Sequence, residues 1–277
     1  MQSKQIILML LIFVLFACSP THSAPEQPSV ETIVAGTLEA LTAAVPIATE
    51  VNGISFTDDN ISFVIPLGIA NSATEEIVQA VPPGDGIPWW GTYPEHHRYD
   101  LEGYPITDGY SSIEISIYPI EEYVAMNEDV GNSIETLKSL IANPSQPLPE
   151  RLPFLPTFNA SAYFHSNYET VNFQNGSGIR YLTAFSQVPV PILNDLMLYT
   201  FQGITNDGLY YVSTTFAVNI GFLVGTQAPT DWPDATIMQN QVDTVTQQLN
   251  NSKPEAFTPS LLVLDSLVQS IVVNGLP

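Results

Sequence analysis

Apolar residues recur along this chain in two rhythms, at alternate positions and at every third or fourth position, and the changes of rhythm predict its elements. Residues 54–56 and 61–65 alternate about the polar run Asp58-Asp59-Asn60, a strand pair and its turn. Residues 96–104 and 112–118 read as strands, the second with Ile113, Ile115 and Ile117 on one face. Residues 168–173 and 178–187 flank Asn175-Gly176, a pair that suits the positive φ angles of a type I′ hairpin. Residues 196–204 and 209–218 flank Asn206-Asp207-Gly208, which predicts a type I turn with a glycine bulge.

Helical spacing appears in three places. Residues 133–142 align Ile134, Leu137, Leu140 and Ile141, with Asn132 and Glu135 suited to the cap and Asn143-Pro144 as the stop. Met238, Val242, Val245 and Leu249 form one stripe after Pro233. Leu261, Leu264, Val268 and Ile271 form another behind Thr258 and Pro259, with Asp265, Ser266 and Gln269 facing out. Residues 72–80 fit a short capped helix or a strand equally well. Residues 81–95 carry too many Pro and Gly for a regular element and read as a long loop, and five prolines from Pro144 to Pro156 predict a surface crossover. Hairpins grouped together with helices before and after them define an α+β class, an antiparallel sheet built of hairpins with helices packed on it.

The first residues follow neither rhythm. Lys4 precedes an unbroken apolar run over residues 6–17, which Cys18, Ser19 and Pro20 end. Twelve apolar residues are too few to span a bilayer, for which about 18 or more are needed, and suit a removable export signal. The segment Leu15-Phe16-Ala17-Cys18 resembles the lipobox of bacterial lipoproteins, although Phe16 departs from the usual small or branched residue. The resemblance implies cleavage before Cys18, acylation of that cysteine, and an extracytoplasmic protein of the cell envelope held to a membrane by lipid. The expected organisation is a signal peptide over 1–17, a tether over 18–51 with a short stalk helix over 29–44, and a single α+β domain over 52–277.

The last third of the chain, strand pairs followed by a helix running into Leu267-Val268-Gln269-Ser270-Ile271-Val272-Val273, is similar in order to Mog1/PsbP-like domains. That likeness is topological and brings no functional residue with it.

Composition supports a packed domain, since 45% of residues are hydrophobic and 10% aromatic. Cys18 is the one cysteine, so with its thiol acylated no disulfide or cysteine metal site is expected. The charge is strongly negative, with 28 acidic residues against six basic ones and a net −22. That balance argues against nucleic acid and against adsorption to anionic lipid, both of which select clustered Lys and Arg. The expected contact with the membrane is therefore the N-terminal lipid alone.

Catalytic and nucleotide-binding signatures are lacking: no G-x-S-x-G, G-x-x-x-x-G-K, G-x-G-x-x-G, H-E-x-x-H or EF-hand spacing occurs. No cofactor and no metal is expected. His96 and His97 would alternate across a strand, so a metal site with Glu95 requires that stretch to be loop. The acidic pairs Glu121-Glu122 and Glu128-Asp129 read as a solvated face. Arg180 is a scarce cation on the face that carries Val171, Phe173 and Leu182, with Glu169 nearby; either its stem covers apolar surface while its head reaches Glu169 or water, or it is an anion ligand.

The richest candidate is the 81–95 loop. Trp89, Trp90, Tyr93 and then His97 form either a groove for a small molecule, glycan or protein partner, or a plug for the end of the sheet. The sequence thus suggests an extracytoplasmic binding or interaction protein without enzymatic activity. An envelope hydrolase and a structural envelope component are the alternatives.

Overall fold

The computed structural model describes residues 52–106, 113–188, 190–226 and 234–276. The signal peptide, tether, stalk helix, Cys18 and Pro233 lie outside these described residues. Two strands open the fold, β1 (Gly53–Thr57) and β2 (Ile61–Pro66), joined as the pattern predicts. The Asp58 carboxylate makes the turn by accepting from the backbone N–H groups of Asn60 and Ile61, each at 2.8 Å.

The segment open to either reading is strand β3 (Ser72–Val78), which pairs antiparallel with β4 (His96–Glu102). Strand β5 (Glu114–Pro119) follows and runs into helix α1 (Ile120–Met126) and helix α2 (Glu128–Ala142). Helix α2 starts a turn earlier than its apolar stripe predicts. Its cap is Asn127, whose side chain accepts from the Asp129 N–H at 3.0 Å, and not Asn132. Glu128 and Asp129 occupy the first turn, where the positive end of the helix dipole favours carboxylates.

Strands β6 (Ser161–Phe173), β7 (Gly176–Ser186), β8 (Leu198–Thr205) and β9 (Tyr210–Ala217) form the two expected hairpins. The β8–β9 turn is as predicted, with Gly208 at φ 75° and its N–H donating to the Thr205 carbonyl. The β6–β7 turn differs. Phe173 pairs with Gly176, so the connecting residues are Gln174 and Asn175, and Gly176 begins the strand without a positive φ. Glycine is needed there for space, since a Cβ would stand 2.0 Å from the Phe173 ring and 2.5 Å from the Ile204 carbonyl. Asn175 instead ties this turn to the end of the chain, its amide exchanging two hydrogen bonds, at 2.6 and 3.0 Å, with the backbone of Val273.

After the short strand β10 (Asn219–Ile220) come helix α3 (Ala235–Asn250), strand β11 (Phe257–Thr258), helix α4 (Leu261–Gln269) and strand β12 (Val272–Val273). Asp234 caps α3 by accepting from the Thr236 N–H. Thr258 does not cap α4; it pairs with Asn219 in the β10–β11 ladder, and the cap position falls on Ser260.

The seven-stranded antiparallel sheet has the order β3-β4-β5-β9-β8-β7-β6, and β12 joins β1 and β2 in a small second sheet. The fold is α+β, with helices packed on the large sheet. One core joins its first face to α3, α4 and the small sheet. A second core joins its other face to α1, α2 and Leu155. Because both faces are covered, the central strands lose the alternation of a half-exposed sheet: β8 is buried from Tyr199 to Thr205.

Burying both faces forces polar side chains inside, and at the centre of the sheet they pair around Gln202, although the Ser166 hydroxyl finds no partner among the described residues. The Gln202 amide donates to Thr200 and Ser213 at 2.8 and 2.9 Å, and its carbonyl accepts from Tyr211 and from the Leu155 N–H at 2.7 and 2.8 Å. Ser213 donates to the Leu155 carbonyl at 2.6 Å. The proline-rich crossover is therefore not confined to the surface. Leu155 is buried in it, and this network fixes the segment to the middle of the sheet.

Candidate functional site

The 81–95 loop begins at the β3 edge of the sheet, yet its tip shares a cleft with residues of β6 and β7 at the other end of the strand order. Backbone hydrogen bonds hold both ends of that excursion. At its base Val81 and Tyr93 exchange two, at 2.8 and 3.1 Å. At its tip Trp89–Gly91 forms a 3-10 turn. The Trp89 carbonyl accepts from the Asn127 amide at 3.0 Å, and the Trp90 carbonyl accepts from the Thr157 hydroxyl at 3.3 Å. Asn127 thus caps α2 and tethers the tryptophan turn with the same side chain.

The tip forms one wall of a cleft of about 790 Å³, within the size range of small-ligand sites. The crossover supplies Arg151 and Phe158, the adjoining ends of β6 and β7 supply Ser161 and Ser186, and α3 supplies Met238. A second cleft of about 460 Å³ on the α2 side shares Trp89, Arg151 and Phe158 with the first. Beneath Phe158 lie Phe154 and Phe185, with all three ring centroids within 5.7 Å of one another. The two tryptophans differ: Trp89 is 58% exposed, while Trp90 is half-buried.

Of the residues singled out from the sequence, Trp89 and Trp90 line the cleft, whereas Tyr93, His97 and Arg180 do not. Tyr93 packs edge-on to His96, with centroids 5.3 Å apart, over the α1–α2 core. His96 and His97 project from opposite faces of β4, as a strand requires. His96 lies on Tyr118, and burial holds its imidazole below the ordinary protonation range. His97 is paired through Nδ1 with Glu75 at 2.6 Å on the other face. No group of three or more potential metal ligands occurs among the described residues.

Each nitrogen of the Arg180 guanidinium is engaged within the fold. Its Nε and Nη2 donate to Asp265 at 3.0 and 3.1 Å, and Nη1 donates to the Asn167 carbonyl. Asp265, expected to face solvent, is 8% exposed and also accepts from the Tyr199 hydroxyl at 2.9 Å. The burial of Asp265 has a clear cause. A carboxylate on the apolar side of α4 is tolerable because the β7 guanidinium stands opposite it. A bulge in β6 between Ser166 and Glu169 brings Asn167, at φ 50°, to complete the set, so Glu169 is not the partner.

Sequence reasoning misses Arg151, Phe158 and Ser161. A lone cation among the crossover prolines is the available signal, but its position relative to the tryptophans depends on contacts remote in sequence. Comparison with known proteins finds no matching family model, no curated protein and no solved structure of significant similarity. Among the described residues no helix is long and apolar enough to cross a membrane.

Proposed function

We propose that this chain is a lipid-anchored extracytoplasmic binding protein, with the cleft beside Trp89 as its site. The observation that carries the reading is the 58% exposure of Trp89 on the wall of a cleft of ligand size. An indole left in water gives up a large apolar burial, so two separate hydrogen-bonded tethers on this turn favour a role for the exposed ring. The described cleft lining also carries no carboxylate, imidazole or thiol, which favours binding over acid–base or nucleophilic chemistry. Attachment rests on the lipobox-like Leu15-Phe16-Ala17-Cys18.

Two measurements test this. Cys18→Ser is expected to move the protein from the membrane fraction to the soluble exported fraction; retention in membranes refutes the lipid anchor. For the site, the chain is labelled with 5-fluorotryptophan, the signals are assigned by single Trp→Phe substitutions, and small sugars, peptides and nucleosides are screened by fluorine NMR. The Trp89 resonance is expected to shift with at least one class. A screen in which Trp89 never moves removes the cleft as a site.

A further inference from the structure

We infer that the cleft beside Trp89 recognises a saccharide bearing carboxylate groups, an inference that rests on the binding role proposed above. The first observation is electrostatic. The chain carries 28 acidic residues, yet none of the sixteen described residues lining this cleft is Asp or Glu. Asp234 and Asp243 are neighbours of lining residues on α3 but do not themselves line it. Asp243 accepts from the lining Gln239 at 2.9 Å, and Asp129 lines the adjoining second cleft, so the walls are not free of negative field; among the described residues of the first cleft's own lining, however, Arg151 is the one charged side chain.

The second observation is Arg151. Arg98, Lys138 and Arg180 are each engaged by carboxylates. Arg151 is exposed, lines both clefts and makes no ion pair among the described residues. Its guanidinium is a fork matched to a carboxylate.

The third observation separates a sugar from other anions. Trp89 and Phe158 offer partly exposed aromatic faces, at 58% and 38%. The exposed polar side chains of Asn159 and Ser161, on the same wall, make no hydrogen bond among the described residues. A pyranose ring has both halves of this chemistry, an apolar C–H face to lie on an indole and a rim of hydroxyls for amides and hydroxyls. A small inorganic anion uses only the arginine, and an acidic peptide has no flat apolar face at each residue.

The test is calorimetric titration of the purified full-length chain with tetragalacturonate, its fully methyl-esterified form and hexa-aspartate. Tetragalacturonate is expected to bind about tenfold or more tightly than the ester, the scale of one charge-assisted contact. Arg151→Gln should erase that preference, and Trp89→Ala should weaken both sugars, with melting temperatures unchanged in both variants. Equal binding of acid and ester, or a preference that survives Arg151→Gln, overturns the acidic-sugar inference and leaves the cleft standing. Hexa-aspartate binding as tightly as the uronate, independent of Trp89, overturns it in favour of an acidic peptide. If neither sugar binds, the inference is overturned; the binding role falls with it only if the fluorine screen also leaves Trp89 unmoved.

Discussion

Two arginines of this chain stand in opposite circumstances. Arg180 is 4% exposed on β7, next to the edge strand of the sheet, where a carboxylate and a backbone carbonyl accept its hydrogen bonds. Arg151 is exposed at the rim of a cleft with no ion pair among the described residues. The first is the more conspicuous in sequence, because a cation within an apolar strand looks purposeful. The difference shows that a scarce charge in a buried strand marks the place where the fold needs a partner, whereas a scarce charge in an irregular segment can stay exposed without one.

The strongest test of that comparison is Asp265→Ala. It strands the buried guanidinium and also takes the acceptor from Tyr199, so a loss of about 3–5 kcal/mol is expected in urea denaturation. Replacing the set together, as Arg180→Met, Asp265→Leu and Tyr199→Phe, should recover most of the loss, because only the part-buried Asn167 carbonyl then loses its donor. A loss below about 1 kcal/mol for Asp265→Ala would show that water reaches Arg180 and that the two arginines differ less than their burial implies.

A smaller effect separates the adjacent tryptophans. Trp90→Ala removes a half-buried ring and should cost roughly 1–3 kcal/mol, less than the value for a fully buried aromatic. Trp89→Ala should change stability by no more than about 0.5 kcal/mol while weakening the sugar binding read by calorimetry. Thermal melts showing equal losses for both would make the loop a plug.

The smallest effect is that of pH. Burial lowers the protonation range of His96 and of His165 from the ordinary 6.5. Below pH 6.5 the unfolded chain therefore takes up protons that the folded chain resists, and stability falls as pH falls through that window, levelling off beneath the folded values. Above 6.5 both states are neutral and this slope disappears. His96→Gln should flatten the slope in melts taken between pH 7 and pH 5; an unchanged slope would mean that His96 gains its proton without loss of packing.

Much of the fold is legible in the sequence because its signals are local. The Asp58 turn, Gly208 and the helical stripes of Ile134 and Leu249 depend on residues a few positions apart. The failures share a cause. Gly176 reads as a requirement for positive φ, but its need is set by Phe173 and by Ile204 across the neighbouring strand. Helical spacing alone assigns Asp265 to solvent, and spacing carries no information about the guanidinium opposite it. Asn127 escapes notice because the stripe it begins is weaker than the cap it makes. The cleft is legible in part: an irregular loop with two tryptophans is visible, while its other walls come from a crossover, a sheet edge and α3.

The sequence by itself determined the α+β class, the two β6–β9 hairpins, the acidic balance and the lipobox-like segment, since these follow from periodicity, composition and neighbouring residues. Only the tertiary structure decided that both faces of the sheet are covered, that Arg180 is spent on Asp265, and that Trp89 and Arg151 line one cleft. Those outcomes depend on which distant surfaces come together. Burial then sets whether a polar group must find a partner within the fold or remains open to one outside it.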